Sequence, residues 1–292
     1  MKNKILILTG ILFVVCRQNF AQSFAIQNPI GYTPAAFHYD EPENTVYDLD
    51  LKKELMIIAP SVALGITDLF IDYQSLTAED LGSLDINSIP VFERNIVYFD
   101  SAYAAVANDL SNTFNKAALA LGVVSVLSGY PSTDNIFING ILYIEGTMFT
   151  SGLVDVLKKS VGRVRPYAYN TDYSDGYRLR GAVTSSFPSG HSSSTAFNCF
   201  FAAKMIDDYF IDDDEVFYKS LDWTLAAAIP AWVAYLRMAA GVHFLTDVAT
   251  GYLIGASCGF IIPELHKIDQ ENLSLFPVFD QQFTGIGMQL KF

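Results

Sequence analysis

The chain has 292 residues, 51% of them hydrophobic and only 17% charged, so it has enough apolar side chain for one large core or two smaller ones. Its 31 acidic and 18 basic residues leave a formal charge of -13, which argues against a protein that wraps nucleic acid, because the phosphates would be repelled. Two of the three cysteines, Cys199 and Cys258, sit inside apolar runs and read as buried core thiols rather than as a disulfide.

At the N-terminus, Lys2 and Lys4 precede an apolar stretch from Ile5 to Cys16, with a small residue at Ala21. That order is expected of a secretory signal peptide over residues 1–21, cut after Ala21. Val14 and Val15 stand where lipoprotein processing at Cys16 would need small residues, so lipidation is not expected. Cleavage removes Lys2, Lys4 and Arg17 and no acid, which makes the exported chain more acidic still.

Residues 22–50 are polar and dotted with aromatic and turn residues, and read as an irregular N-terminal arm. Apolar segments follow at Leu55–Phe70, Ala117–Leu127, Ile136–Leu157, Thr195–Ile206, Leu225–Met238 and Phe244–Ile262. Their length and their Ala, Gly, Leu and Val content predict helices, and the fold class is therefore all-α, a bundle of about six helices. A mean hydropathy of +0.27 and the run Phe244–Ile262 favour membrane embedding, although Asp68, Glu145, Asp155 and Lys204 interrupt the others. If Leu55–Phe70, Ala117–Leu127 and Ile136–Leu157 all cross after a cleaved leader, the loop beyond Leu157 faces the cytoplasm. An outward-facing loop then requires Leu55–Phe70 to be interfacial or fully buried. Residues 268–292 form a tail whose end, "FTGIGMQLKF", alternates like one amphipathic strand.

Three segments carry chemistry. Lys158 is followed after six residues by Arg165 and Pro166; Pro188-Ser189-Gly190-His191 opens a helix; Arg237 is followed after five residues by His243 and after three more by Asp247. A helix start at Ser189 and Gly190 offers backbone N–H groups to an anion, with glycine allowing close approach. Lys158, Arg165 and Arg237 add cations suited to phosphoryl oxygens. His243 and Asp247, four apart at a helix start, share a face, so the carboxylate can hold one ring nitrogen and leave the other as a nucleophile. Singly, each segment also has a bland reading: a positive flank, an ordinary helix start, a hydrogen-bonded buried pair. In combination they make a phosphoryl-transfer site without a metal or other cofactor.

These three segments resemble the signature of the type-2 phosphatidic acid phosphatase and vanadium-haloperoxidase superfamily. The motifs span residues 158–247, and the helical pattern extends the likeness over about 51–267. The resemblance implies that His243 becomes a phosphohistidine with Asp247 orienting it, and that His191 protonates the leaving oxygen. It also implies that Lys158, Arg165, Ser189, Gly190 and Arg237 hold the phosphate. Leu236 stands where the family pattern usually has serine, which removes a hydroxyl from beside Arg237.

The loop 167–187 must overhang the site, and its Arg178 and Arg180 read as solvated loop charges or as contacts to a second phosphate or a lipid headgroup. The acidic run 212–215 reads as a solvated connection. Trp223 and Trp232 suit packing or interface anchors, and His38 and His266 show no companions. The expected function is a metal-independent phosphatase of the cell envelope. Its substrate would be a lipid phosphate or diphosphate, its tail in the membrane and its headgroup in an extracytoplasmic site. A soluble periplasmic acid phosphatase of broad specificity and a vanadate-dependent haloperoxidase use the same residues; a non-catalytic scaffold leaves them without a purpose. Neither the identity of the lipid nor the oligomeric state is written in the sequence.

Overall fold

The computed structural model describes residues 45–268 together with 273–279 and 284–290. The expected leader, residues 1–21, and the first part of the arm, 22–44, lie outside the described residues. Six helices of twenty residues or more make up the described bundle: α1 Leu51–Phe70, α2 Ser101–Ser125, α3 Thr133–Val161, α4 Gly190–Phe210, α5 Val216–Ala239 and α6 Leu245–His266. Each grows around one of the expected apolar runs. Side-chain caps fix several starts, with Asp50 accepting from Lys52 N–H before α1, Asp100 from Ala102 N–H before α2, and Ser132 from Asn135 N–H before α3. Gly162, at φ 60°, ends α3 in the left-handed conformation that glycine adopts freely.

α2 begins well before its apolar run. Its first half, "SAYAAVANDLSNTFNK", is polar, and Asn108, Ser111, Asn112 and Asn115 recur at helical spacing. That polar stripe turns inward at one end of the bundle, where it meets His191, Thr195 and Arg237.

The helices alternate in direction. Asp68 late in α1 pairs with Lys159 late in α3 at 2.7 Å, and the same spacing back along both helices Glu54 lies beside Glu145. α1 and α3 therefore run parallel, side by side. α4 and α6 are the closest pair: a Cβ on Gly251, Gly255 or Gly259 would come within 2.3, 2.0 and 2.5 Å of the carbonyl oxygens of Ser189, Ser193 and Phe197. Glycine at every fourth position lets the two backbones touch. This contact sets the motif at the start of α4 against the motif at the start of α6.

One core cluster, with Ile57, Leu142, Phe197, Phe201, Met205 and Ile262, lies where α1, α3, α4 and α6 meet. A second, with Ala107, Tyr167, Ala168, Val183, Leu236 and Val242, seats the loop after α3. Cys199 and Cys258 are buried and free, as expected of core thiols. Two of the four charges that interrupt the apolar runs are tightly paired: Asp68 with Lys159, and Lys204 with Asp208 and Glu264 at 2.7 and 2.6 Å.

Ala102–Gly129, Thr133–Tyr169 and Leu245–His266 are long and apolar enough to cross a membrane. Leucine, valine, phenylalanine and tryptophan side chains stand exposed along the bundle, among them Leu69, Val124, Leu225, Trp232 and Leu253. α1 is not the fully buried segment that was one expectation: it lies along α3, with Leu55, Ile66, Leu69 and Phe70 exposed. The acid pairing at both of its ends fixes that direction, so residues 45–50 and the start of α4 are at opposite ends of the bundle.

The end of the arm is not wholly irregular. Tyr47 bridges to Lys267, and its hydroxyl donates to Asp208 at 2.5 Å. The tail contains two strands where one was expected, β1 Leu273–Phe279 and β2 Thr284–Leu290, paired antiparallel from Leu273↔Leu290 to Phe279↔Thr284. Pro277 masks β1 in the sequence, since a strand proline cannot donate to the ladder.

Candidate active site

All eight residues singled out from the sequence meet at one end of the bundle. Lys158 comes from the last turn of α3 and Arg165 from the loop beyond it. Ser189 caps α4, while Gly190 and His191 are its first residues. Arg237 comes from the last turn of α5, His243 from the turn before α6, and Asp247 from the first turn of α6. A Cβ on Gly190 would sit 2.8 Å from Lys158 Nζ, so glycine is needed for the ammonium to reach the helix start. Ser189 Oγ accepts from Ser192 Oγ at 3.1 Å, and its N–H donates to the Asp247 carbonyl at 2.9 Å, which ties the two helix starts together.

The cations face one another. Arg165 donates to the Ser185 carbonyl and hydroxyl, and Arg237 donates to Asn108 Oδ1 at 2.9 Å and Ser111 Oγ at 3.1 Å. Neither guanidinium has a carboxylate within ion-pair distance among the described residues, and the buried Nε–H of Arg237 has no acceptor. Burial, with the Arg165 charge added, pulls Arg237 down to about 9. Cations held together without counter-charge favour an anion in their midst.

His243 is 2% exposed, and its Nδ1 lies 2.7 Å from the Ser186 carbonyl. Asp247 Oδ2 is 3.7 Å away. That places the expected partner within ion-pair distance of Nδ1, although His243 precedes α6 and only Asp247 is helical. The Ser186 carbonyl is the nearer acceptor for Nδ1–H, and both contacts leave Nε2 with its lone pair. Burial lowers His243 to about 3 against the opposing pull of Asp247, so the ring is neutral at pH 7.

Asp247 is clamped from every side. Oδ2 accepts from Ser186 Oγ at 2.5 Å and from Phe244 N–H at 2.8 Å, and Oδ1 accepts from Arg163 at 2.5 Å. Arg163 also reaches Glu93 at 2.7 Å, while Glu93 accepts from the N–H and hydroxyl of Thr246. The Arg163 guanidinium lies 4.2 Å over the Phe244 ring. Glu93, Arg163 and Ser186 were not singled out from the sequence. Arg163→Ala would leave Glu93 and Asp247 buried without their cation, a change of about 3–5 kcal/mol. The expected result is a fall of about 10 °C in the unfolding midpoint in detergent; an unchanged midpoint removes the clamp from this account.

His191 Nε2 lies 2.7 Å from Asn112 Oδ1. Burial, then Arg237, Lys158 and Arg165, lower His191 to about 3. A cavity of about 620 Å³ opens beside Arg165 and Arg237, lined also by Tyr167, Tyr173, Tyr177 and Arg180 among others, with neither histidine in its lining. Arg180 stacks on the Tyr177 ring at 3.7 Å and faces this cavity. Arg178 is neither a solvated charge nor a substrate contact, since it is buried and staples the loop to the carbonyls of Ala168 and Leu81. Leu236 is fully buried in the apolar cluster with Tyr167 and Val242, and the polar contacts to Arg237 come from α2 instead.

Residues 139–270 match the family model described as the PAP2 superfamily. No curated protein matches the chain. Among solved structures, the chain is similar to the first transmembrane PAP2 type phosphatidylglycerolphosphate phosphatase from Bacillus subtilis. The identity is 20%, over 72% of this chain and 96% of that chain, with a TM-score of 0.43.

Proposed function

From the match of residues 139–270 to the PAP2 superfamily and from the site's geometry, we propose that the protein is a membrane phosphatase of that superfamily acting on a lipid phosphate or diphosphate through a phosphohistidine. The observation that carries the reading is the convergence of Lys158, Arg165 and Arg237 on the start of α4, with a neutral buried His243 aimed by a backbone carbonyl.

In the proposed reaction the phosphoryl oxygens lie among the three cations, the Ser189 hydroxyl and the Gly190 N–H at the start of α4, where charge is stabilised without reorganisation. His243 Nε2 attacks phosphorus, and the bond to the leaving oxygen breaks. His191 gives that oxygen a proton from Nδ1 while Asn112 accepts its Nε2–H. A water then attacks the phosphohistidine, returns a proton to His191 and releases inorganic phosphate. Asp247 acts as a positioning residue: it holds the Ser186 segment whose carbonyl aims His243.

The apolar faces of α2, α3 and α6 suit a substrate whose tail stays in the bilayer while its headgroup enters the cavity. The alternating helices set residues 45–50 opposite the site, so in a bilayer crossed by all six helices the two lie on opposite sides. A site on the extracytoplasmic side then requires residue 45 on the cytoplasmic side. Thiol labelling of single cysteines placed at positions 50 and 172 in intact cells reads this directly, with opposite sides expected; labelling of both from one side means that the bundle does not span.

The reading is tested by phosphate release from a panel of detergent-dispersed lipid monophosphates and diphosphates. Release is expected to survive EDTA within about two-fold at 25 °C, because the cations already neutralise the phosphoryl oxygens. Loss of release with EDTA and its restoration by a divalent ion would overturn the metal-free chemistry.

A further inference from the structure

His266, without companions in the sequence, has two in the fold. Its Nε2 lies 3.2 Å from Glu54 Oε1 and 3.9 Å from Glu145 Oε2, and one ligand atom from each of the three residues lies within 4.8 Å of the others. Glu54 comes from α1, Glu145 from α3 and His266 from the last turn of α6. All three are at least nine-tenths buried. Glu54 and Glu145 lie close enough to share a hydrogen bond when a proton is held between them, and no group outside the cluster satisfies Glu54 Oε2 or either oxygen of Glu145. The nearby lysines are committed elsewhere, Lys204 to Asp208 and Glu264, and Lys267 to Asp208.

The histidine is oriented as a metal ligand. Its Nδ1 lies 2.8 Å from the Ile262 carbonyl, a backbone acceptor for Nδ1–H that leaves the Nε2 lone pair facing the two carboxylates. A backbone carbonyl behind a ring nitrogen is the usual outer support of a histidine ligand. Two buried carboxylates and an imidazole lone pair repel one another unless positive charge lies between them. We propose that Glu54, Glu145 and His266 bind one divalent cation of the zinc or manganese type, suited to mixed nitrogen and oxygen ligands. At 1.5 Å per residue α3 separates Glu145 from Lys158 by about 20 Å, so the ion stands apart from phosphoryl transfer. It fastens α1, α3 and α6 at the end of the bundle away from the candidate active site.

The test uses full-length protein freed of any affinity tag, purified in detergent without chelator. Elemental analysis is expected to find about one zinc or manganese per wild-type chain, and less than about a tenth of that in Glu145→Gln and in His266→Gln. Stripping wild type with EDTA and then adding zinc or manganese alone should raise the unfolding midpoint by about 5 °C. Neither variant should respond. Wild type that holds no divalent ion as purified and gains no stability from either metal overturns the proposal. So does a metal-free wild type that Glu145→Gln makes more stable, since the cluster is then a proton-sharing acid pair. Phosphate release is not the readout, so failure here leaves the proposed function standing.

Discussion

His243→Ala is expected to lose at least about 10⁴-fold in kcat on every phosphate substrate, because removing a nucleophile removes the covalent route whatever the leaving group. The geometry makes the expectation specific. The Nδ1 contact at 2.7 Å to the Ser186 carbonyl fixes which nitrogen is free, and burial keeps the ring neutral down to about pH 3. A neutral imidazole is required for attack, so the nucleophile itself imposes no loss of rate as pH falls through 6.5, the ordinary value for histidine. His243→Ala protein that is folded and still turns over at wild-type rate would remove the assignment.

His191→Ala is expected to behave differently. A general acid contributes typically about 10²–10⁴-fold when the leaving group needs a proton. An alkyl alcohol leaves badly as an alkoxide, whereas p-nitrophenolate leaves well unprotonated. The variant should therefore lose about 10²-fold or more on a lipid alkyl phosphate and far less on p-nitrophenyl phosphate. Burial, and then Arg237, Lys158 and Arg165, hold His191 at about 3. In the proposed reaction a phosphoryl group among those cations would offset their charge and raise it, so the acid would be charged by the arrival of its substrate. On the alkyl phosphate, kcat should fall on the alkaline side as the complex loses that proton, and this limb should vanish in His191→Ala. Equal losses on the two substrates, with chemistry rate-limiting, would make His191 a binding or structural group.

The helices were legible because apolar runs of this length and composition have no other stable arrangement: four of the six expected runs lie wholly inside one helix, and the other two overrun an end by one or two residues. The proposed site was legible as a candidate because Lys158, Arg165, Ser189, Gly190, His191, Arg237, His243 and Asp247 fall within three short spacings. Side-chain type alone could not show what supports them. The acceptor for His243 is the backbone of Ser186, which no residue identity announces. Glu93 reaches Arg163 and Thr246 from a stretch of 3-10 turns with no periodic pattern. Asn108, Ser111, Asn112 and Asn115 were not picked out, because a polar stripe on a helix ordinarily faces water, and only the packing of α2 against α4 and α5 turns this one inward. Glu145 stood out as an interruption and His266 as solitary for a related reason: their companionship depends on α1 and α3 running in parallel register.

The central claim is transfer of the phosphoryl group to His243, and the direct measurement is capture of that intermediate. Wild type mixed with a ³²P-labelled lipid phosphate, quenched in alkaline detergent and digested, should yield label on the peptide carrying His243. That label should survive base, be lost in acid, and be absent from His243→Ala. Acid-stable label on Ser189 or Ser192, or turnover that never labels the protein under rapid quench, would contradict the account.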